Sequence, residues 1–463
     1  MYNTGTDAQL KSGEFLGGAG MEERSSKHFL YFFLVILILL GTCLRIFICL
    51  KFNPMDFLFS DPMRHWVNGQ HFPKGGYFGA SDPIGYQAYL SIMQHLTRGN
   101  RFLVGLTSGL LSALMPWTFY RAARNFSMRK VAALCVWALI LWTPSLLAIY
   151  HYIMMETLLL FLEGAALWAT AHHLRKGGSQ SFVLSVVGWT LAALTKPTVI
   201  PLAGVCVLWS LWKRMPSWKA VAAAAVLAFV LLLPQAIRSE VALGFVAPFG
   251  NPWLTKIQHQ SGTNTLDLYF HGHPSTLMHV KADAGYDMSS SFCSPSCVMR
   301  PLWPLSDWIT RCASTHSEYV LKVDSSYGER DWKNAYDNLN VSRSEWLGRW
   351  RENIVLFLFS PSWPEFSSQL WVDKLEPMTR WMWAPIVVFV LLGNAFLFAR
   401  GKFDLVPVAV TVFTLFLMLQ NVVTFEGRYR KPLEPLLLLN VVWIIASFTK
   451  QQVCDNRAAN SAT

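Results

Sequence analysis

Apolar runs of about twenty residues recur along this chain, separated by short breaks that carry the basic residues, and this repetition restricts its fold more than any other feature. A hydrocarbon core about 30 Å thick takes about 20 predominantly apolar residues per helix, and it admits only helices or closed barrels because backbone polar groups find no water there. The runs fall near 28–50, 103–120, 131–149, 154–173, 182–195, 197–212, 220–237, 380–399, 405–423 and 433–449. They predict an all-α polytopic membrane protein of about ten transmembrane helices. With 53% hydrophobic and only 14% charged residues in 463, a soluble multidomain chain is a poor alternative. The first run is too long for a cleaved signal peptide and has no clear small-residue cleavage site, so it is expected to be retained. The pieces 182–195 and 197–212 are short, and they read as an irregular pair meeting at Lys196-Pro197.

Orientation follows from the cations. With a cytoplasmic N-terminus, Arg121, Arg124, Arg129 and Lys130, then Arg175 and Lys176, then Lys213, Arg214 and Lys219, then Arg400 and Lys402 all fall inside. Topology thus accounts for much of the net charge of +11, and no nucleic acid partner is needed. The expected organisation is a cytoplasmic tail (1–27), an N-terminal transmembrane region (28–237) with an external loop at 51–102, an external segment (238–379), a C-terminal transmembrane region (380–449) and a cytoplasmic tail (450–463). Amphipathic helices are expected in the first external loop, and the 238–379 segment is expected to be mainly helical or irregular. Its Trp332 to Trp350 stretch suits an amphipathic helix capping a cavity. Cys43, Cys49, Cys135 and Cys206 fall in apolar runs as ordinary core residues. Cys293, Cys297 and Cys312 lie in the external segment, where an oxidising compartment would permit one disulfide of undetermined pairing. Asn340-Val-Ser342 is a sequon that matters only in a eukaryotic secretory membrane.

Chemistry-bearing residues gather on the outer side. Asp61 and Asp82 each precede a proline and then a segment of helical character, so each reads either as a helix N-cap or as a functional acid. Glu156 opens the fourth apolar run beside His151. A carboxylate bordering a span is costly unless partnered, which favours function or a buried network over a simple first-turn acid. Glu163, one or two turns deeper, reads as a structural partner for a His or Arg. Lys196, Arg428, Arg430 and Lys431 place positive charge on the outer face against the topological bias. An anion such as a phosphate is their natural counterpart, with headgroup contact or pairing to Glu426 and Glu434 as the competing reading. Arg64, His65 and Tyr86 stand where they could orient a ligand. His271-Gly272-His273 reads as an ordinary loop contact. No metal site is predicted, because no cluster has convincing ligand spacing; a divalent cation stays open.

Ser60-Asp61 after the first span, Asp82-Pro83-Ile84-Gly85-Tyr86, Met155-Glu156-Thr157, Ala193-Leu194-Thr195-Lys196-Pro197-Thr198 and Gly427-Arg428-Tyr429-Arg430-Lys431-Pro432 occur in that order. In this order the chain resembles the C-type membrane glycosyltransferases, in particular protein O-mannosyltransferase-like and aminoarabinose transferase-like enzymes. The resemblance implies a sugar donor on a polyprenyl phosphate, transfer with inversion to an acceptor hydroxyl on protein, lipid or glycan, and a site on the periplasmic or luminal face of a bacterial inner membrane. It implies Asp61 as the catalytic acid acting at the acceptor. Apart from the family, Glu156 is the second catalytic candidate, and Lys196, Arg428 and Arg430 are candidate ligands of the donor phosphate, because a departing phosphate needs cations where charge develops. Pro62 stands where the family often has a second acid, and Asp82-Pro83 departs from its pattern near the end of the loop. A transporter or lipid-linked-sugar flippase is the rival class, although the chain shows no internal repeat.

Overall fold

The computed structural model describes residues 16–58, 60–73, 82–243, 246–250, 265–270, 278–282, 319–324, 354–355, 357–359, 376–419 and 427–462. The body is helical. It runs through α1 (Leu16–Lys51), α2 (Ser60–Gln70), α3 (Ile84–Leu96), α4 (Arg101–Asn125), α5 (Lys130–Trp142), α6 (Pro144–Ala148), α7 (Met155–Lys176), α8 (Ser179–Thr195), α9 (Ile200–Lys213), α10 (Trp218–Leu243), α11 (Glu376–Ala399), α12 (Leu405–Leu419) and α13 (Glu434–Ala462). Between α10 and α11 lie three short strands, β1 (Thr265–Phe270), β2 (Met278–Ala282) and β3 (Tyr319–Asp324). They pair antiparallel in the order β2-β1-β3, with Leu268 opposite Val280 on one side and Leu321 on the other. For these residues the segment is strand, not the helix or irregular chain expected from sequence. The expected helix near 332–350, the sequon, Cys293, Cys297, Cys312 and the His271/His273 pair lie outside the described residues.

Among the described residues five helices are long and apolar enough to cross a membrane, or six if the bent pair α5 and α6 forms one span. The expected count of about ten is not reached on length and composition, for two physical reasons. Helices α8 and α12 have 17 and 15 residues, and Pro197–Lys213 forms a third short apolar helix. At 1.5 Å per residue these cover about 22 to 26 Å, short of a hydrocarbon core of about 30 Å. Helix α7 has 22 residues but carries Glu156, Glu163, Arg175 and Lys176.

Small residues let these helices approach closely, which substitutes for the hydrophobic drive that lipid removes. Helix α7 packs between α4 and α8. A Cβ added at Gly164 would overlap the Thr118 hydroxyl, and one at Gly188 would come within 3.0 Å of the Ala166 Cβ. Gly105 and Gly109 on α4 likewise seat Asn53 and Cys49. Asn53 caps the turn that follows α1 by accepting from the Met55 N–H at 2.9 Å, and its amide donates to the Phe102 carbonyl at 3.0 Å. Of the four cysteines in apolar helices, Cys49 and Cys206 are core residues, whereas Cys43 is exposed.

The 60° bend between α5 and α6 sits at Thr143-Pro144, where proline lacks the N–H that would continue the helix. Carbonyls released there accept from the fully buried Arg45 of α1. Its guanidinium donates to the carbonyls of Ile140 at 2.8 Å, Leu141 at 2.7 Å and Leu146 at 3.2 Å, and to the Ser112 hydroxyl at 2.8 Å. One charge therefore ties α1, α4 and the bent pair together. Replacing Arg45 by Met should destabilise the detergent-solubilised protein by about 3 kcal/mol or more, since several charge-assisted hydrogen bonds are lost from a buried position. Thermal unfolding followed by circular dichroism would measure the loss.

Candidate functional site

Between α1 and α4 the described chain holds the short helices α2 and α3, which pack on each other, with α3 also against α4 and α8. Their polar residues converge on one carboxylate. Asp82 precedes α3 but does not cap it, because the capping position is Pro83 and no side-chain bond closes the helix start. The Asp82 carboxylate instead faces α2. It meets Arg64 Nε at 3.2 Å and Asn68 Nδ2 at 3.4 Å, and His65 Nδ1 lies at 3.9 Å. A buried acid that holds Arg64 and Asn68 of one helix fixes that helix's position, so the N-cap reading of Asp82 gives way to a clamp between α2 and α3. Asp61 lies in the first turn of α2, and its side chain falls outside the described residues.

Helix α3 then docks on the end of α8. A Cβ at Gly85 would come within 2.8 Å of the Thr195 hydroxyl and 2.9 Å of the Leu194 carbonyl, so only glycine permits this approach. Tyr86, next in sequence, is buried and packs edge-on to the His65 ring, with centroids 5.3 Å apart and planes at 84°. Its buried hydroxyl makes no hydrogen bond among the described residues, and Thr157 and Glu156 at the start of α7 are its electrostatic neighbours. Burial, reinforced by Tyr89, pushes the Tyr86 phenol well above its usual range, so it stays a neutral donor. Tyr89 anchors the same helix to α4 through a 2.6 Å hydroxyl–hydroxyl bond with Thr107.

Beyond Tyr86 lies the central pair. Chain breakage at Pro197 leaves Lys196 extended between α8 and the turn Pro197–Val199, and its ammonium donates to Glu156 Oε1 at 2.6 Å. Both side chains are buried, at 7% and 2% exposure, so the pair is a desolvated contact and not a surface one. The face of Tyr429 lies 5.0 Å from the same ammonium. Tyr429 belongs to the turn Gly427–Leu433, which leads into a second buried cluster. Glu434 accepts from Lys431 at 3.0 Å, from Arg430 at 3.4 Å and from the Ser145 hydroxyl at 2.8 Å. Lys431 also donates to the Ser145 carbonyl at 2.8 Å, and Arg430 to the Phe357 carbonyl. Glu156 lies within electrostatic range of Lys431, which links the two clusters.

Of the residues singled out in the sequence, the structure brings together Arg64, His65, Asp82 and Tyr86, and joins them through Tyr86 to Glu156 and Lys196. Arg430 is close by through Tyr429, yet it is fully enclosed and already engaged by Glu434 and Phe357. The side chain of Arg428, like that of Asp61, is outside the described residues. Glu163 departs from its expected role. It is fully buried, and both carboxyl oxygens lack a hydrogen-bond partner among the described residues, so no His or Arg pairs with it. Sequence reasoning missed Asn68, Gln87, Ser145 and Arg238. The Arg238 guanidinium donates to Gln87 Oε1 at 2.7 Å. Its signal was available, since Arg238 is a cation at the outer end of an apolar run, the same anomaly that marked Lys196. Asn68, Gln87 and Ser145 carry no charge and stand out only once their partners are in place. Among the described residues no group of three His, Cys, Asp or Glu side chains could hold a metal ion. No family model matches the chain, and no curated protein matches it either.

The Glu156–Lys196 contact makes a quantitative expectation. Glu156→Gln and Lys196→Met should each cost about 3 to 5 kcal/mol, because each strands the opposite charge in a desolvated setting. The double variant should cost clearly less than the sum of the two, which a thermodynamic cycle on unfolding would measure.

Proposed function

We propose that this chain is an integral membrane glycosyltransferase that moves a sugar from a polyprenyl-phosphate donor to an acceptor hydroxyl, with inversion, at the outer face of a bacterial inner membrane. One observation carries the reading: the Asp82 cluster, Tyr86 and the Glu156–Lys196 pair form one continuous polar constellation at the end of the helical body where the first external loop docks. Phosphate leaving a sugar needs fixed cations where charge develops and a carboxylate at the attacking hydroxyl. In the proposed step the acceptor proton passes to Asp61, the acceptor oxygen bonds to the anomeric carbon, and the bond from that carbon to the phosphate oxygen breaks. Polyprenyl phosphate departs with the bonding electrons, and Lys196 exchanges part of its contact with Glu156 for the phosphate oxygens. Glu156 is then the group that holds Lys196 in place until an anion arrives. Arg428 and Arg430 complete the cationic side of the proposal, Arg430 through its neighbours because it is itself enclosed.

A second reading, a transporter or lipid-linked-sugar flippase, draws on Glu163. A carboxyl enclosed between helices two turns deeper than Glu156, with no hydrogen-bond partner among the described residues, is the kind of group that lines a translocation path. The two readings separate in one assay. Purified protein given a panel of polyprenyl-phosphate sugars with candidate acceptors should release polyprenyl phosphate, and Asp61→Asn should slow release by about 100-fold or more. Equal release by both proteins removes Asp61 from the mechanism. Translocation of intact lipid-linked sugar in vesicles, without release, favours the flippase.

A further inference from the structure

We propose that Arg238, at the outer end of α10, is a ligand for a lipid-borne phosphate group; naming that phosphate as the sugar donor's rests on the transferase reading above. The guanidinium of Arg238 is incompletely paired among the described residues. Arg238 donates one bond, from Nη2 to Gln87 Oε1, and the Phe72 ring lies 5.8 Å from its guanidinium carbon. Its Nε and Nη1 are shielded from water and have no acceptor among the described residues. A guanidinium has five donors in a planar arrangement, and buried donors left unmade are expensive, so a side chain held this way is organised for an acceptor that arrives from outside.

The local charge favours an anion. Asp82 is within electrostatic range of Arg238, but its carboxylate is already shared by Arg64 and Asn68. Among the described side chains Asp82 is thus taken up by Arg64 and Asn68, and no ion pair neutralises Arg238. Oxyanions of the phosphate type match a guanidinium with open donors because they present several acceptors at once. Position supplies the lipid. The outer end of α10 is the end of a candidate membrane span, and nearby Ile237 and Val241 are exposed apolar residues, so the guanidinium stands where acyl chains give way to headgroups. Gln87, which holds Arg238, lies one residue after Tyr86 on the helix that docks against Thr195, so Arg238 and Lys196 flank the start of α3 from two sides. Arg430 is enclosed by Glu434 and the Phe357 carbonyl, and Arg238 is therefore the better placed arginine for a lipid-borne phosphate in this conformation.

The test uses full-length protein in detergent with three probes: a polyprenyl phosphate, phosphatidylglycerol and inorganic phosphate. Binding of polyprenyl phosphate should weaken about tenfold or more in Arg238→Gln, as expected for loss of a charge-assisted contact. Because that variant could unfold, a second measurement uses the unaltered protein. Modification of Arg238 by phenylglyoxal, mapped by peptide mass spectrometry, should be suppressed by polyprenyl phosphate. Suppression by polyprenyl phosphate alone supports the donor's phosphate as the ligand. Equal suppression by phosphatidylglycerol supports the phosphate site and assigns it to a headgroup. Unaltered affinity in a folded Arg238→Gln protein, or no suppression by either lipid, overturns the inference. Sugar transfer that persists in Arg238→Gln with the same donor KM also overturns it while leaving the transferase reading intact. Absence of transfer with every donor, alongside phosphate binding that depends on Arg238, does the reverse.

Discussion

A single desolvated ion pair, Lys196 with Glu156, organises this end of the molecule. Charges removed from water are tolerated only where their geometry is fixed and their remaining polar atoms are engaged, so everything around such a pair is constrained to keep it. Proline at 197 stops α8 and leaves Lys196 extended, and Tyr429 brings a ring face to the ammonium. Tyr86 arrives on α3 because Gly85 lets that helix touch the Thr195 end of α8. The second cluster, in which Glu434 gathers Arg430, Lys431 and Ser145, extends the same arrangement to α13 and to the bent pair α5 and α6. Four parts of the chain that are remote in sequence meet through these contacts.

The same logic explains why the interior tolerates its charges. Arg45 is matched by carbonyls that the break at Pro144 releases, so a helix defect and a buried cation satisfy each other. Glu163 has no such match among the described residues. Arg45, Lys196 and Glu434 are thus compensated by backbone or by an opposite charge, whereas Arg238 Nε and Nη1 and both Glu163 oxygens have no hydrogen-bond partner among the described residues.

Much of this was legible in the sequence, and the limits are physical. Apolar runs marked the helical body and the break at Lys196-Pro197, because hydropathy and proline report on local chemistry. Span number was less legible: α8 and α12 are too short and α7 too charged to qualify on their own, and what surrounds them decides whether they lie within a bilayer. Cations expected on the outer face stood out as anomalies in the sequence, which found Lys196 and Arg430. Their partners were less so. Asp82 read as a cap or as a functional acid, both local readings, while its contacts with Arg64 and Asn68 depend on how two helices fold against each other. Lys431 read equally as a ligand or as a partner of Glu434, and three residues' separation on a turn settles it as the latter. Arg238 carried the same anomaly as Lys196 but needed Gln87 in place to become visible.

The contact at the centre can be read chemically. A hydrophobic carbodiimide acts as a zero-length cross-linker, joining a carboxylate to an amine only where the two already touch, and peptides from the treated protein can be sequenced by mass spectrometry. An amide between Glu156 and Lys196, absent from Glu156→Gln, is the expected product at a 2.6 Å separation. Lys196 joined to a different carboxylate, or left unmodified while Glu156 reacts without it, would contradict the arrangement on which this site is built.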